Sequence, residues 1–275
     1  MNAARKKVRI GIIGCGAIGS RFARSVHKEL KQDCQLSALY DIHPEKSTQL
    51  ARSLSQPKIA KSSYQELLRG CDFLIEAVTS QNTAEIIRQA LKAKKNVLAM
   101  SVGQLLNAQD LFALAKKNKC ALLIPSGAIA GLDAVKAASL AGIKTVRLTS
   151  RKPPSGFAGS TYIEEKGIDL QGITSETVIF EGNVDSAVKH FPKNINVAAT
   201  LALACGSKEK VSIRITTSPE FKTNSHEIEV TGDSGRIVSL TDNVVCPDNP
   251  KTSYLAVLSA VQTLKQFFSG VKIGT

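Results

Sequence analysis

Residues 8–19 read Val8-Arg9-Ile10-Gly11-Ile12-Ile13-Gly14-Cys15-Gly16-Ala17-Ile18-Gly19, a largely apolar run that breaks into glycines in G-x-G-x-x-G spacing. In a strand-turn-helix unit each glycine has a separate task. Gly14 allows the tight turn out of the strand, Gly16 lets the backbone approach a pyrophosphate, and Gly19 lets the next helix pack closely on the sheet. The pyrophosphate then rests on the helix N-terminus, where unpaired N–H groups and the helix dipole favour an anion. The backbone of Gly14, Gly16, Ala17, Ile18 and Gly19 is therefore expected to bind a dinucleotide. A second signal follows about twenty residues on, where LSALYD ends in Asp41, an acid placed to accept the adenosine ribose hydroxyls and to repel the extra phosphate of NADP. NAD is the expected cofactor. NADP stays open, because His43 and Lys46 follow and would hold a 2′-phosphate if the acid turned away.

Working outward, apolar runs alternate with helical patterns through the first half, the signature of βαβ units and a doubly wound parallel sheet. Strands are expected at 8–13, 35–40, 73–78, 96–100 and 121–124, and helices at 18–30, 44–54, 84–94 and 109–117. After SGAIAG the rhythm changes. A strand at 145–150 leads into a proline and glycine loop, PPSGFAGSTY, and VSIRITT, HEIEVTG and GRIVSL then alternate like strands of a second, mixed sheet. Gly232-Asp233-Ser234-Gly235 is a hairpin turn by composition. The reading is an α/β protein: a Rossmann domain at 1–130, an α+β domain at 131–249 for substrate and dimerisation, and a helix within 250–275 that packs back on the first domain.

Composition narrows the function classes. At 275 residues, with 43% hydrophobic and 21% charged residues, the chain can bury a core without staples. No apolar run approaches the ~20 residues of a membrane span, and the basic, then apolar start reads as a first strand rather than a signal peptide. No membrane partner is expected. The net charge of +13 comes from scattered pairs such as Lys94-Lys95 and Lys116-Lys117, with 5% aromatics, too few to stack bases, so no nucleic-acid partner is expected either. A positive field does suit a dianionic substrate. Six scattered cysteines, with no C-x-x-C pair and no histidine cluster, point to reduced thiols, no metal site and a cytoplasmic location.

Three segments of the second half resist explanation as packing alone: SGAIAGLDA, FPKNINVAATLALA and NSHEIEV. Together with the glycine turn they resemble the L-aspartate dehydrogenase family over nearly the whole chain. The resemblance implies NAD(P)-dependent oxidative deamination of L-aspartate to iminoaspartate, released as oxaloacetate and ammonia or used for NAD biosynthesis. It implies a homodimer, a cofactor contact at Ala130 and another at Asn196, with Asn194 competing, and an active-site histidine at His226. The chemistry suits these residue types, since the amine must be neutral before its hydride leaves and one imidazole can take that proton and later activate water. Asn196 also reads as a helix N-cap. Arg151, Lys152 and Lys193 are candidates for the substrate carboxylates. Related two-domain oxidoreductases fit less well: no Glu-Lys-Pro follows the strand NVLAM, and no His-His pair occurs. A homoserine dehydrogenase-like enzyme and an NAD-binding sensor without turnover are the alternatives.

Overall fold

The computed structural model describes residues 7–78, 81–191, 196–247, 249–269 and 271–274. The chain forms two compact units, one running to Pro125 and taking back Ala260–Val271, the other built on Ser126–Ser259.

The first unit follows the order β1 (Val8–Ile13), α1 (Ala17–Lys28), β2 (Cys34–Tyr40), α2 (Pro44–Ser53), α3 (Tyr64–Gly70), β3 (Phe73–Glu76), α4 (Thr83–Lys92), β4 (Asn96–Ala99), α5 (Gln109–Asn118) and β5 (Leu122–Leu123). Its strands lie in the order β2-β1-β3-β4-β5, and every pairing is parallel. The first crossover runs from β1 to β2 on one side and the next returns to β3 on the other. The order thus reverses beside β1, where open α/β sheets bind ligands outside their carboxyl ends. Both sheet faces are covered, so the strands are continuous apolar runs. Ile10, Ile12, Phe22, Leu39, Phe73, Ile75 and Leu98 form one buried cluster that also takes in Ala260 and Leu264. Phe267 and Phe268 set their rings edge-on and tilted against Phe73. The fifth strand is shorter than expected, because only Leu122 and Leu123 find partners on β4.

The second unit contains α6 (Leu132–Ala141), β6 (Ile143–Lys152), α7 (Thr161–Glu165), β7 (Thr177–Asn183), α8 (Val184–His190), α9 (Asn196–Cys205), β8 (Val211–Thr217), β9 (Asn224–Gly232), β10 (Gly235–Asn243), β11 (Val245–Cys246), β12 (Asn249–Ser253) and the start of α10 (Tyr254–Phe268). Its main sheet runs β10-β9-β6-β8-β7. The β6–β8 pair is parallel and the others are antiparallel, as expected of a mixed sheet. A two-residue turn, Asp233-Ser234, joins β9 to β10 with Gly232 opposite Gly235. The stretch read as a plain loop is more ordered than its prolines suggested: Pro154–Phe157 forms a 3₁₀ turn and α7 follows, Pro154 fitting a first turn that needs no donor there.

Strand alternation sorts this sheet into two chemistries. Val146, Leu148, Ser150 and Lys152 of β6 are buried, as are His226, Ile228 and Val230 of β9. The charged residues between them lie on the other face, where Arg147 pairs with Glu229 and Arg151 with Glu227.

Candidate active site

The glycine turn in the first unit is built as a cradle. Gly14 has φ +90° and donates its N–H to the Tyr40 carbonyl at 2.9 Å, and a Cβ there would lie 2.4 Å from the Ala77 carbonyl oxygen. A Cβ on Gly19 would lie 1.8 Å from the Gly14 carbonyl oxygen, whereas one on Gly16 would meet nothing within 4 Å. The two outer glycines thus serve the fold. Gly16 keeps space open at the start of α1, whose first turn has no side-chain cap and no acid. The N–H groups of Ala17, Ile18 and Gly19 at this end suit an anion.

Asp41 follows the last residue of β2, beside this turn, and is 8% exposed. Its two oxygens accept the backbone N–H groups of Cys15 at 2.7 Å and of His43 at 3.0 Å. The carboxylate therefore braces the glycine turn, a role the motif spacing does not reveal, and each oxygen keeps a second lone pair for a ribose hydroxyl. His43 and Lys46 lie in the exposed stretch that follows.

Glu76 is a site residue that sequence reasoning missed, although an acid inside the apolar run FLIEAV was the available signal. It is fully buried at the end of β3. Its carboxyl accepts N–H groups from Val78, Met100 and Ser101 at 3.0–3.1 Å and touches the Ser101 hydroxyl at 2.8 Å. Burial pushes its pKa up against the pull of these donors. The group clasps the ends of β3 and β4 at the rim of the cradle. Glu76→Leu should orphan several of these donors and lower stability by about 2–4 kcal/mol, since each costs about 1–3 kcal/mol unmet. An unchanged urea midpoint would show that the donors find other acceptors.

In the second unit His226 lies on the apolar face of β9, 5% exposed. Its Nδ1 is 2.9 Å from the Ser150 hydroxyl, its direct cross-strand neighbour on β6. Burial, and then the charge of nearby Lys152, push the imidazole pKa down to about 3. The ring is neutral at pH 7. In the tautomer whose Nδ1–H donates to the Ser150 hydroxyl, Nε2 keeps a free lone pair. Glu227 points to the opposite face and pairs with Arg151 at 3.0 Å. Arg151, expected as a candidate for the substrate carboxylates, is thereby turned away from His226 and held by Glu227 and Glu176. Lys152, one residue on, shares the histidine's face. Lys193 and Asn194 lie outside the described residues.

Ala130 is exposed on the turn before α6, between Ile129 and a left-handed Gly131. That turn is pinned by polar anchors: the Ala128 carbonyl accepts the Thr241 hydroxyl at 3.0 Å and the Asn243 amide at 3.1 Å, and the Gly127 carbonyl accepts the Ser259 hydroxyl at 3.0 Å. Thr241 is also paired with His226 across β9 and β10, so one residue links the Ala130 turn to the histidine strand. Asn196 is exposed at the first position of α9. Two residues on, Ala198 joins Ser150 and Lys152 in lining a small pocket.

The other histidines are engaged elsewhere. His27 faces the Gln56 amide at 3.1 Å, His43 approaches Glu45 at 3.8 Å, and His190 stacks against Tyr162 and Phe180. The six cysteines form no disulfide. Burial pushes Cys15 and Cys34 up to about 12, so neither is a ready nucleophile. Among the described residues no group of His, Cys, Asp or Glu could hold a metal ion, and no helix is long and apolar enough to cross a membrane.

Comparison with known proteins agrees with this two-part design. Residues 14–125 match the family model "Homoserine dehydrogenase, NAD binding domain", and residues 133–267 match "Aspartate dehydrogenase, C-terminal". The L-aspartate dehydrogenase of Methanosarcina mazei is 44% identical over 98% of this chain and all of its own length. "L-aspartate dehydrogenase 3" of Bordetella bronchiseptica is 32% identical over 99% of this chain and all of its own. The crystal structure of aspartate dehydrogenase from Thermotoga maritima superposes with a TM-score of 0.74 at 26% identity, covering 98% of this chain and all of that one. By fold, by the match of its second half and by identity along its whole length, this chain belongs to the L-aspartate dehydrogenase family.

Proposed function

We propose that the protein catalyses the NAD(P)-dependent oxidative deamination of L-aspartate to iminoaspartate, with His226 as its acid-base residue. The observation that carries this reading is a buried, neutral imidazole oriented by Ser150 in a chain of this family. Gly16 leaves room for a pyrophosphate and the α1 N-terminus offers N–H groups to it; with Gly14, Ala17, Ile18, Gly19 and Asp41 these residues would hold the dinucleotide. A bound nicotinamide supplies the hydride acceptor for the Cα hydrogen. His226 takes a proton from the substrate ammonium through Nε2, leaving an amine lone pair to drive hydride loss. After returning that proton to solvent, the same imidazole deprotonates the water that attacks the imine carbon and then hands this proton to the departing amine, giving oxaloacetate and ammonia. Ala130 and Asn196 would contact the cofactor, the alanine by offering backbone without bulk and the asparagine through its amide. The product iminoaspartate would also serve NAD biosynthesis.

NAD rather than NADP is the expected partner, because the Asp41 carboxylate is fixed by two N–H groups and does not turn away easily. A homodimer is expected through the charged face of the second sheet, where Val178, Val238 and Leu240 are exposed among ion pairs. A monomeric mass by light scattering at micromolar concentration would refute it. The six unpaired thiols favour the cytoplasm. The reaction is tested by NADH absorbance with L-aspartate beside L-glutamate, L-homoserine and D-aspartate. Reduction with L-aspartate alone is expected. No reduction with any amine despite NAD binding would sink the assignment in favour of a sensor.

A further inference from the structure

Lys152 is an anomaly. Its side chain is 7% exposed at the end of β6, against the apolar walls of Phe157, Phe191 and Ile215. Lysine is almost never this buried unless paired. Among the described residues no hydrogen bond or ion pair reaches its ammonium, and burial alone pushes its pKa down to about 8. The amine is therefore still mostly charged at pH 7, without a counter-ion, near His226. The pocket it lines is about 10 Å³, space for the centre of a single water-sized group, so it accepts a head group rather than a whole molecule. A buried, unpaired cation in an apolar pocket is costly to the folded protein. An arriving anion relieves that cost.

We propose that Lys152 is the counter-charge for one carboxylate of a dicarboxylate substrate, docking it beside the His226 imidazole. This rests on the aspartate reading for its substrate, but the anion site is testable without turnover. Ser150 and Lys152 are two apart on one strand, with side chains on one face roughly 7 Å apart at their roots. Ser150 orients the base, and Lys152 holds the carboxylate end of the molecule whose amine the base must reach. Among the described residues lining the pocket, and those paired with them on β8 and β9, His226 is the titratable group facing the amine, and it stays neutral above about pH 3.

Succinate, a dicarboxylate with no amine to oxidise, is the probe. Calorimetry on the full chain should show that Lys152→Met weakens succinate by about 10–100-fold, the scale of a charge-assisted contact. NAD affinity should hold within about twofold, the melting temperature should equal or exceed that of wild type, and the KM for L-aspartate should rise by a similar factor. In the wild type itself, succinate affinity should fall from about pH 8 upward as the amine loses its proton. Equal succinate binding in the Met variant, or binding in the wild type that is flat from pH 7 to 10, overturns the proposal. Turnover of L-aspartate with an unchanged KM in the variant removes this site and leaves the enzymatic reading standing. Lys152-dependent succinate binding without turnover of any amine leaves the site standing and removes the enzymatic reading.

Discussion

Replacing His226 with asparagine should lower kcat for L-aspartate by about 10³-fold, within the 10²–10⁴ range of a positioned acid-base group, while NAD affinity and melting temperature stay near those of the parent. The asparagine amide can still meet the Ser150 hydroxyl that now lies 2.9 Å from Nδ1, so the strand pair keeps its polar contact and only the proton acceptor is lost. The pH behaviour separates this role from a structural one. Burial and Lys152 hold the imidazole near pKa 3 rather than its ordinary 6.5, so the free enzyme presents a neutral base across the physiological range. An NMR titration of the His226 ring should show no transition near pH 6.5. The sign of the linkage follows: with the folded pKa depressed, the stability contribution is present above pH 6.5 and is lost as pH falls toward 3, because the unfolded chain binds the proton first. Ser150→Ala should leave that low pKa in place, free the ring to turn, and reduce kcat by roughly tenfold, far less than loss of the base itself. Wild-type turnover in His226→Asn would reduce the histidine to a packed core residue.

The same strand explains what was legible in the sequence and what was not. The glycine spacing and the apolar runs of the first half mark β1 to β4 to within a few residues, because strands covered on both faces must be continuously apolar. The face assignment in the second unit was available too: in TVRLTSRK and HEIEV, alternate residues are apolar, which puts Ser150, Lys152 and His226 with the core and Arg151 and Glu227 with solvent. Arg151 is a candidate beside Lys152 by adjacency in sequence alone, and period two sends the two to opposite faces. Pairing was not available. Nothing in the sequence says that Ser150 stands opposite His226, that Thr241 ties the Ala130 turn to the histidine strand, or that Asp41 accepts the Cys15 N–H. Those contacts join residues 26 to 113 positions apart and follow from register, which strand pairing in three dimensions decides. Glu76 illustrates the converse: its acid is visible, but donors that satisfy it come from Met100 and Ser101, just past the end of β4 and about 25 residues on.

Three glycine substitutions should separate the fold from the cofactor. Gly19→Ala should destabilise the first unit by several kcal/mol, since its Cβ would lie 1.8 Å from the Gly14 carbonyl oxygen, and backbone in a tight turn has no rotamer with which to yield. Gly14→Ala faces a similar obstacle, a φ of +90° and a carbonyl oxygen 2.4 Å away. Gly16→Val presents the opposite case. A Cβ there enters open space, with nothing within 4 Å, so melting should shift little in the free protein. The same branched side chain fills the approach to the uncapped N–H groups of α1, where an anion must come close to backbone, and NAD affinity should fall by about 100-fold or more, the worth of two or three charge-assisted hydrogen bonds. Denaturant melts paired with NAD titrations would decide the matter. If Gly16→Val binds NAD as tightly as the parent, the pyrophosphate does not lie on this turn, and the open space at Gly16 has no cofactor role.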